Sequence, residues 1–395
     1  MEKTIATKVL WHVFLRDVLI CSLGAYGGPE AHYGVFTDQM VVRKRYLTEE
    51  ELVELIALTG ILPGPSSTQT IVAIGHRVGG PWLALLTMLV WALPVLMLMT
   101  LLSFSSQLLD ALNVAPDVLR YIGPMAVGFI IVAAYRIGQK VVQDRITMGL
   151  LLFGAITTFF IREPWIFPLV LVLGGVVSIV TSDETNLWNR VQLSPPWPYF
   201  IAFAAIAIAS VLLTLIWDSG IILLFESFYR YGYLVIGGGQ VVVPLMYSEL
   251  VEVNQYMTNQ EFLTGYGLVQ GLPGPMFSFS AYAGGMVASG GSVLTQIMGA
   301  IVGGFAIFLP GLLLIYFIYP VWENLKKIKG IKVSLKGVTA VAGGLISVAA
   351  VILMQNSGFA IDNFLVMLHT VALLLTRRIP APLIVVLVLL VGFLV

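Results

Sequence analysis

A single cysteine, Cys21, in 395 residues excludes an intrachain disulfide and any cysteine cluster for a metal or an iron–sulfur centre. Histidine is nearly as scarce, and His12, His32, His76 and His369 are scattered without metal-ligand spacing. Charged side chains make up only 11% of the chain, split evenly into 21 basic and 21 acidic, so no basic tail or patch points to nucleic acid. A cleaved signal peptide would need a long clean apolar core, but Lys3, Lys8, Arg16 and Asp17 interrupt the N-terminus, which we read as part of the mature fold. No residue pattern calls for a cofactor.

What remains is apolar. Hydrophobic residues make up 58% of the chain and the mean hydropathy is +0.94, far above what a water-soluble surface tolerates. A spanning helix needs about 20 largely apolar residues. No charge lies between Arg77 and Asp110, and none from Phe262 to Trp322. The solvent of this chain is lipid.

The tetrapeptide LPGP occurs at Leu62–Pro65 and again at Leu272–Pro275, an offset of 272 − 62 = 210 residues. Sliding by 210 also superposes Gly27 and Gly28 on Gly237 and Gly238, Tyr46 on Tyr256, Thr48 on Thr258, Glu51 on Glu261, Leu58 on Leu268 and Gly75 on Gly285. An ordered, ungapped set of this kind implies two homologous halves. We place a first transmembrane repeat at 1–181, a linker and connecting helix at 182–217, and a second transmembrane repeat at 218–395. Each repeat has a semi-polar first segment ending at a glycine pair, a polar loop, a short helix, the PGP break, and a second short helix closing on Gly75 or Gly285. Long apolar segments follow at 82–106, 117–137 and 146–181, and at 292–320, 334–354 and 359–395.

About 11 residues flank each PGP, and a helix of that length is roughly 17 Å, half a bilayer. Proline removes a backbone donor and ends the preceding helix, yet is tolerated in the first turn of the next. The expected product is a re-entrant hairpin broken near the midplane, stable where protein or a watery cavity surrounds it. Basic residues gather at 43–45, at His76–Arg77 and at 136–145 in the first half, whereas in the second half Lys326, Lys327, Lys329, Lys332 and Lys336 occupy the loop matching 106–116. The positive-inside rule then sets the repeats upside down relative to each other. The fold class expected is an all-α polytopic membrane protein of two inverted repeats, each with a PGP-broken re-entrant hairpin.

Broken helices at matching places in two inverted halves point to a transporter site. The candidate substrate-binding residues are Pro63, Gly64, Pro65, Ser66, Ser67, Thr68 and Gln69 in the first half and Gln270, Pro273, Gly274, Pro275 and Ser278 in the second. Free amides and the positive end of a helix dipole suit a tetrahedral oxyanion without placing a lysine or arginine in hydrocarbon. The alternative is a structural kink whose hydroxyls bond their own helix. The glycine pairs Gly27–Gly28 and Gly237–Gly238 lack the lysine and strand of a phosphate loop, so they read as close packing or a second backbone break ahead of direct ligand contact. Glu30, His32 and Asp38 are candidates for proton coupling, with a solvated loop as the other reading; Arg77 is a candidate for steering anions, and Gln240 for gating.

YGGPEAH at 26–32, Tyr46–Leu47–Thr48 entering a Glu-rich helix, LPGPSSTQT at 62–70 and Gly75–His76–Arg77 together resemble the chromate ion transporter family in its long two-repeat form. The resemblance implies an inner-membrane, multi-pass carrier that exports chromate in exchange for protons, with sulfate as competing oxyanion. By the same resemblance the family's motif residues are Gly27, Gly28, Pro29, Pro63, Gly64, Pro65, Gly237, Gly238, Pro273, Gly274 and Pro275. Two positions depart from the family pattern: Tyr26 replaces a common phenylalanine, and Gly60 stands where an amide is frequent, although Gln270 fills that place in the second half. The partners expected are the oxyanion, protons and membrane lipid, with a homodimer as a candidate assembly. A sulfate or other small-anion carrier, or a channel, is the competing reading. An intramembrane enzyme is disfavoured because no acid, base or cysteine lies between Phe262 and Trp322.

Overall fold

The computed structural model describes residues 10–111, 116–188, 191–236, 241–358 and 360–394. Every regular element among them is helical. The first half contains α1 (Trp11–Gly24), α2 (Pro29–Phe36), a π-helical turn (Thr37–Arg43), α3 (Glu49–Ile61), α4 (Ser66–Leu102), α5 (Ser105–Ala111), α6 (Ile122–Val141), α7 (Arg145–Phe160) and α8 (Ile166–Val180). α9 (Trp197–Ile216) connects the halves. The second half contains α10 (Gly220–Leu234), α11 (Val242–Tyr247), a second π-helical turn (Ser248–Val253), α12 (Asn259–Val269), a 3-10 turn (Met276–Ser278) and α13 (Phe279–Val287). It continues with α14 (Val293–Ala306), α15 (Leu309–Ile318), α16 (Trp322–Leu325), α17 (Lys329–Asn356), α18 (Ile361–Thr376) and α19 (Ala381–Leu394).

Among the described residues, five helical stretches are long and apolar enough to cross a membrane: Ser66–Leu102, Asp117–Val141, Trp197–Ile216, Val293–Leu325 and Lys329–Asn356. Side chains that water would reject, such as Leu215, Ile216 and Phe393, face outward, as expected where the surrounding medium is hydrocarbon. The chain is a polytopic α-helical membrane protein.

Local chemistry explains where the helices begin and end. Thr48 Oγ1 accepts from the Glu51 amide (3.2 Å) while Glu51 Oε2 accepts from the Thr48 amide (2.9 Å), a capping box that starts α3. Thr258 and Glu261, at the same offset of 210, start α12 in the same way (3.2 and 2.7 Å). Each cap of this kind contributes about 1 kcal/mol. Both helices stop at their PGP: α3 ends at Ile61 and α4 begins at Ser66, whereas α12 ends at Val269 and helix resumes at Met276. The sequence placed the close of the short helix after the first break at Gly75, but α4 runs on and bends at Gly79–Gly80, where Gly80 has φ +74°. Gly75 instead provides close approach, since a Cβ there would lie 2.3 Å from Thr87 Oγ1 in the same helix.

The longest helices of the second half pack on those of the first. α6 rests on α17 and α18, and α17 on α7 and α8. Small residues set these approaches: a Cβ on Gly337 would lie 2.0 Å from the Gly174 carbonyl, and one on Gly344 2.1 Å from that of Leu151. Ion pairs gather the basic loops of both halves at one end of α17: Lys326 binds Glu54 (2.9 Å) and Lys336 binds Asp144 (2.7 Å). At the far end of α17, about 42 Å away for 28 residues, the Asn356 carbonyl accepts from Asn259 at the start of α12 (3.0 Å). α3 is thus tied through Glu54 to the segment just before α17, whereas the start of α12 meets the far end of α17.

Candidate functional site

The PGP breaks are tied to the opposite half. The Gly64 amide donates to the Val235 carbonyl (2.7 Å), and the Gly274 amide to the Ala25 carbonyl (2.8 Å). The two bonds are the same bond twice, because 64 + 210 = 274 and 25 + 210 = 235. Each break is thus fastened to the segment that precedes the other repeat's glycine pair. Gly64 has φ +127° and Gly274 φ +105°, backbone that a side chain would strain. Gly27 and Gly28, at φ +89° and +88°, turn the chain from Ala25 into α2. Gly237, Gly238 and Gln240 lie outside the described residues.

With the Gly64 amide occupied, the donors left at the first break are those of the α4 first turn. Pro65 N-caps α4 without a side-chain cap, and the amides of Ser66, Ser67 and Thr68 have no partner among the described residues; the first intrahelical bond is from the Gln69 amide to the Pro65 carbonyl (2.9 Å). The hydroxyls here are divided. Thr70 Oγ1 bonds back to the Ser66 carbonyl (2.9 Å), as a purely structural kink would have it. Ser67 Oγ instead meets His32 Nδ1 (2.9 Å), and Thr68 Oγ1 accepts from Trp91 Nε1 (3.1 Å). Gln69 Nε2 donates to the Pro63 carbonyl (2.8 Å) and reaches that of Gly311 (3.5 Å).

His32 is 2% exposed and packed edge-on to Trp91, with ring centroids 5.3 Å apart. His32 Nε2 has no partner among the described residues, and in the tautomer where the Ser67 hydroxyl donates to Nδ1 it carries the proton and is a free donor. At the second break Ser278 Oγ, Ser280 Oγ and the Tyr266 hydroxyl are buried and likewise unpartnered. A small cavity lies beside them, lined by Tyr266, Met276, Phe277, Ser280 and Ile307. Gln270 is buried and donates to the Met276 sulfur (3.4 Å). Both breaks border one turn of α4: Trp91 holds Thr68, and a Cβ on Gly274 would lie 3.0 Å from Val95 Cγ1.

The "Chromate transporter" family model matches residues 11–179 and 222–393, one block in each half. The chain belongs to the chromate transporter family. A "Probable chromate transport protein" of Synechococcus elongatus is 28% identical over 98% of this chain and 94% of its own length. A "Chromate transport protein" of Cupriavidus metallidurans is 26% identical, covering 97% of this chain and 92% of the relative, and one of Pseudomonas aeruginosa is 25% identical over 84% and 78%. No solved structure matches the chain. This is a family of membrane transporters, not of enzymes.

Within this member of the chromate transporter family, the sequence-derived site residues do not all come together. His32 joins Ser67 at the first break, whereas Glu30 is exposed at the start of α2, Asp38 is exposed in an ion pair with Arg43 (2.9 Å), and Arg77 is paired with Glu51. Trp91 was not legible as a site residue. Its counterpart by the repeat offset is Ile301, so duplication gives no signal, and only the folding of α4 back past α2 brings it to Thr68.

Proposed function

We propose that this chain carries chromate across the inner membrane, outward in exchange for protons, and that sulfate competes for the same site. The observation that carries the reading is the first turn of α4, whose unbonded amides stand beside the buried Ser67–His32 pair. Helix N-termini attract anions through amide donors and the dipole, and hydrogen bonds to a charged group are worth about 1.5–3 kcal/mol each. The unpartnered hydroxyls of Ser278 and Ser280 supply donors from the second repeat. Chromate and sulfate have the same charge and tetrahedral shape and accept from the same groups, which is why one competes with the other.

The reciprocal bonds Gly64–Val235 and Gly274–Ala25, and the opposite placement of α3 and α12 along α17, favour two inverted repeats whose breaks face one site. Alternating access then moves one repeat against the other around it. The test is uptake of labelled chromate by everted vesicles bearing the chain, with excess sulfate and with or without a pH gradient. Gradient-driven, sulfate-sensitive uptake is expected. Uptake indifferent to the gradient would remove the antiport, and no chromate uptake at all would remove the substrate.

A further inference from the structure

The first helix of each repeat carries buried charge that the anion site does not use. In the second repeat Arg230 on α10 lies between two carboxylates. It donates to Glu226, on the same helix, from Nε (2.7 Å) and Nη2 (3.1 Å), and to Glu249, in the π-helical turn, from Nη1 (3.0 Å) and Nη2 (2.8 Å). Glu226 and Glu249 are each 7% exposed. Ser227 Oγ adds a bond to Glu249 (3.3 Å). One guanidinium faces two carboxylates, so the fully ionised network holds one surplus negative charge.

Among the described residues, no helix packed on α10 balances that charge. α9, α11, α13, α14 and α15 bring no Lys, Arg, His, Asp or Glu, only Tyr199, Tyr247, Tyr282 and Tyr316. α10 itself adds Tyr229, Tyr231 and Tyr233, of which Tyr231 is wholly buried with an unpartnered hydroxyl. Glu252, on the same π-helical turn as Glu249, is matched by Arg162 (2.8 Å). A surplus buried charge is expensive unless it is neutralised.

The repeat offset sharpens the contrast, since 17 + 210 = 227 and 39 + 210 = 249. In the first repeat Asp17 accepts from Gln39 (3.2 Å); at the same two positions of the second, Ser227 meets Glu249 (3.3 Å). The link between first helix and π-helical turn is kept, but the carboxylate has changed sides. Asp17 is matched one for one by Lys44 (3.2 Å) and also accepts from the Tyr46 hydroxyl (2.6 Å). The first repeat holds a closed ion pair and the second an unbalanced one. π-Helical segments recur at functional sites, and both networks are built on one. α10 also runs directly into Val235, whose carbonyl holds Gly64 at the first break.

We propose that the Glu226–Arg230–Glu249 network is the binding site of the coupling proton: one proton, shared by the two carboxylates around Arg230, is taken up and released in each transport cycle. The inference rests on the chromate-carrier reading and adds to it the residues that hold the proton. Neither carboxylate touches the anion.

The test uses the full chain in liposomes with an acidic interior and the membrane potential clamped at zero. Two rates are read, chromate exchange at equal pH and chromate accumulation driven by the gradient, with a pH-sensitive dye following protons. One proton per anion sustains about tenfold accumulation per pH unit. Glu226→Gln and Glu249→Gln each leave Arg230 one carboxylate and so preserve a neutral pair. Each is expected to keep exchange while losing that tenfold accumulation and the chromate-linked proton movement, whereas Glu252→Gln keeps both. Gradient-driven accumulation surviving in either carboxamide variant would overturn the proposal, and so would loss of exchange together with accumulation. Wild-type exchange without gradient drive overturns the antiport and the proton site with it, and leaves the carrier reading standing. Absence of wild-type exchange overturns the carrier reading and this inference with it.

Discussion

Gly64→Ala separates backbone strain from displacement of a site residue. At φ +127° an alanine is strained by about 1–3 kcal/mol. Its Cβ would also lie 2.6 Å from Gln69 Nε2, so the amide must swing away and give up its 2.8 Å bond to the Pro63 carbonyl, worth about 1 kcal/mol. The substitution should therefore cost roughly 2–4 kcal/mol in total. In a Gln69→Ala background the collision is gone, and the same substitution should cost about 1 kcal/mol less. The assay is a double-mutant cycle on denaturation of the purified chain, with chromate uptake in everted vesicles read in parallel. Equal costs in the two backgrounds would refute the collision, and an unstrained Gly64→Ala would refute the backbone argument.

His32→Phe keeps the packing on Trp91 but removes the Nε2 donor; by loss of one hydrogen bond to a charged group, chromate should bind about 10- to 150-fold more weakly, read as the uptake KM. Gly337→Ala sets a Cβ 2.0 Å from the Gly174 carbonyl and should cost about 1–3 kcal/mol of stability by prising α17 from α8, whereas Gly138→Ala in α6, with nothing within 4 Å, should cost nothing and raise stability by up to about 1 kcal/mol in the same melting experiment. The Asp144 carboxyl, in the α6–α7 loop, is held below the ordinary aspartate range by the Lys336 ammonium and the Thr147 amide. A lowered folded pKa gives stability that is complete above the unfolded value and is lost as pH falls through the folded one, so Asp144→Asn should flatten the acid limb of a melting-temperature profile and leave it unchanged in shape near neutrality.

The solvent of this protein, its duplication and the helix breaks at its two PGP turns were legible in one dimension, because each follows from local chemistry; the bend of α4 at Gly79–Gly80 was not. Lipid solvation is decided by runs such as 262–322, the two prolines of each PGP end the helix before them, and Thr48–Glu51 and Thr258–Glu261 begin helices without tertiary help. Partnerships were not legible. That Arg77 is taken by Glu51, that Ser67 turns to His32 rather than to its own helix, and that Trp91 reaches Thr68 depend on which helices lie side by side. Even the repeat, visible as an offset of 210, did not disclose that each PGP glycine is held by the other half, or that a carboxylate had moved from position 17 of one network to position 249 of its twin. Such bonds join residues far apart in the chain, and only packing of the two halves against each other brings them within reach.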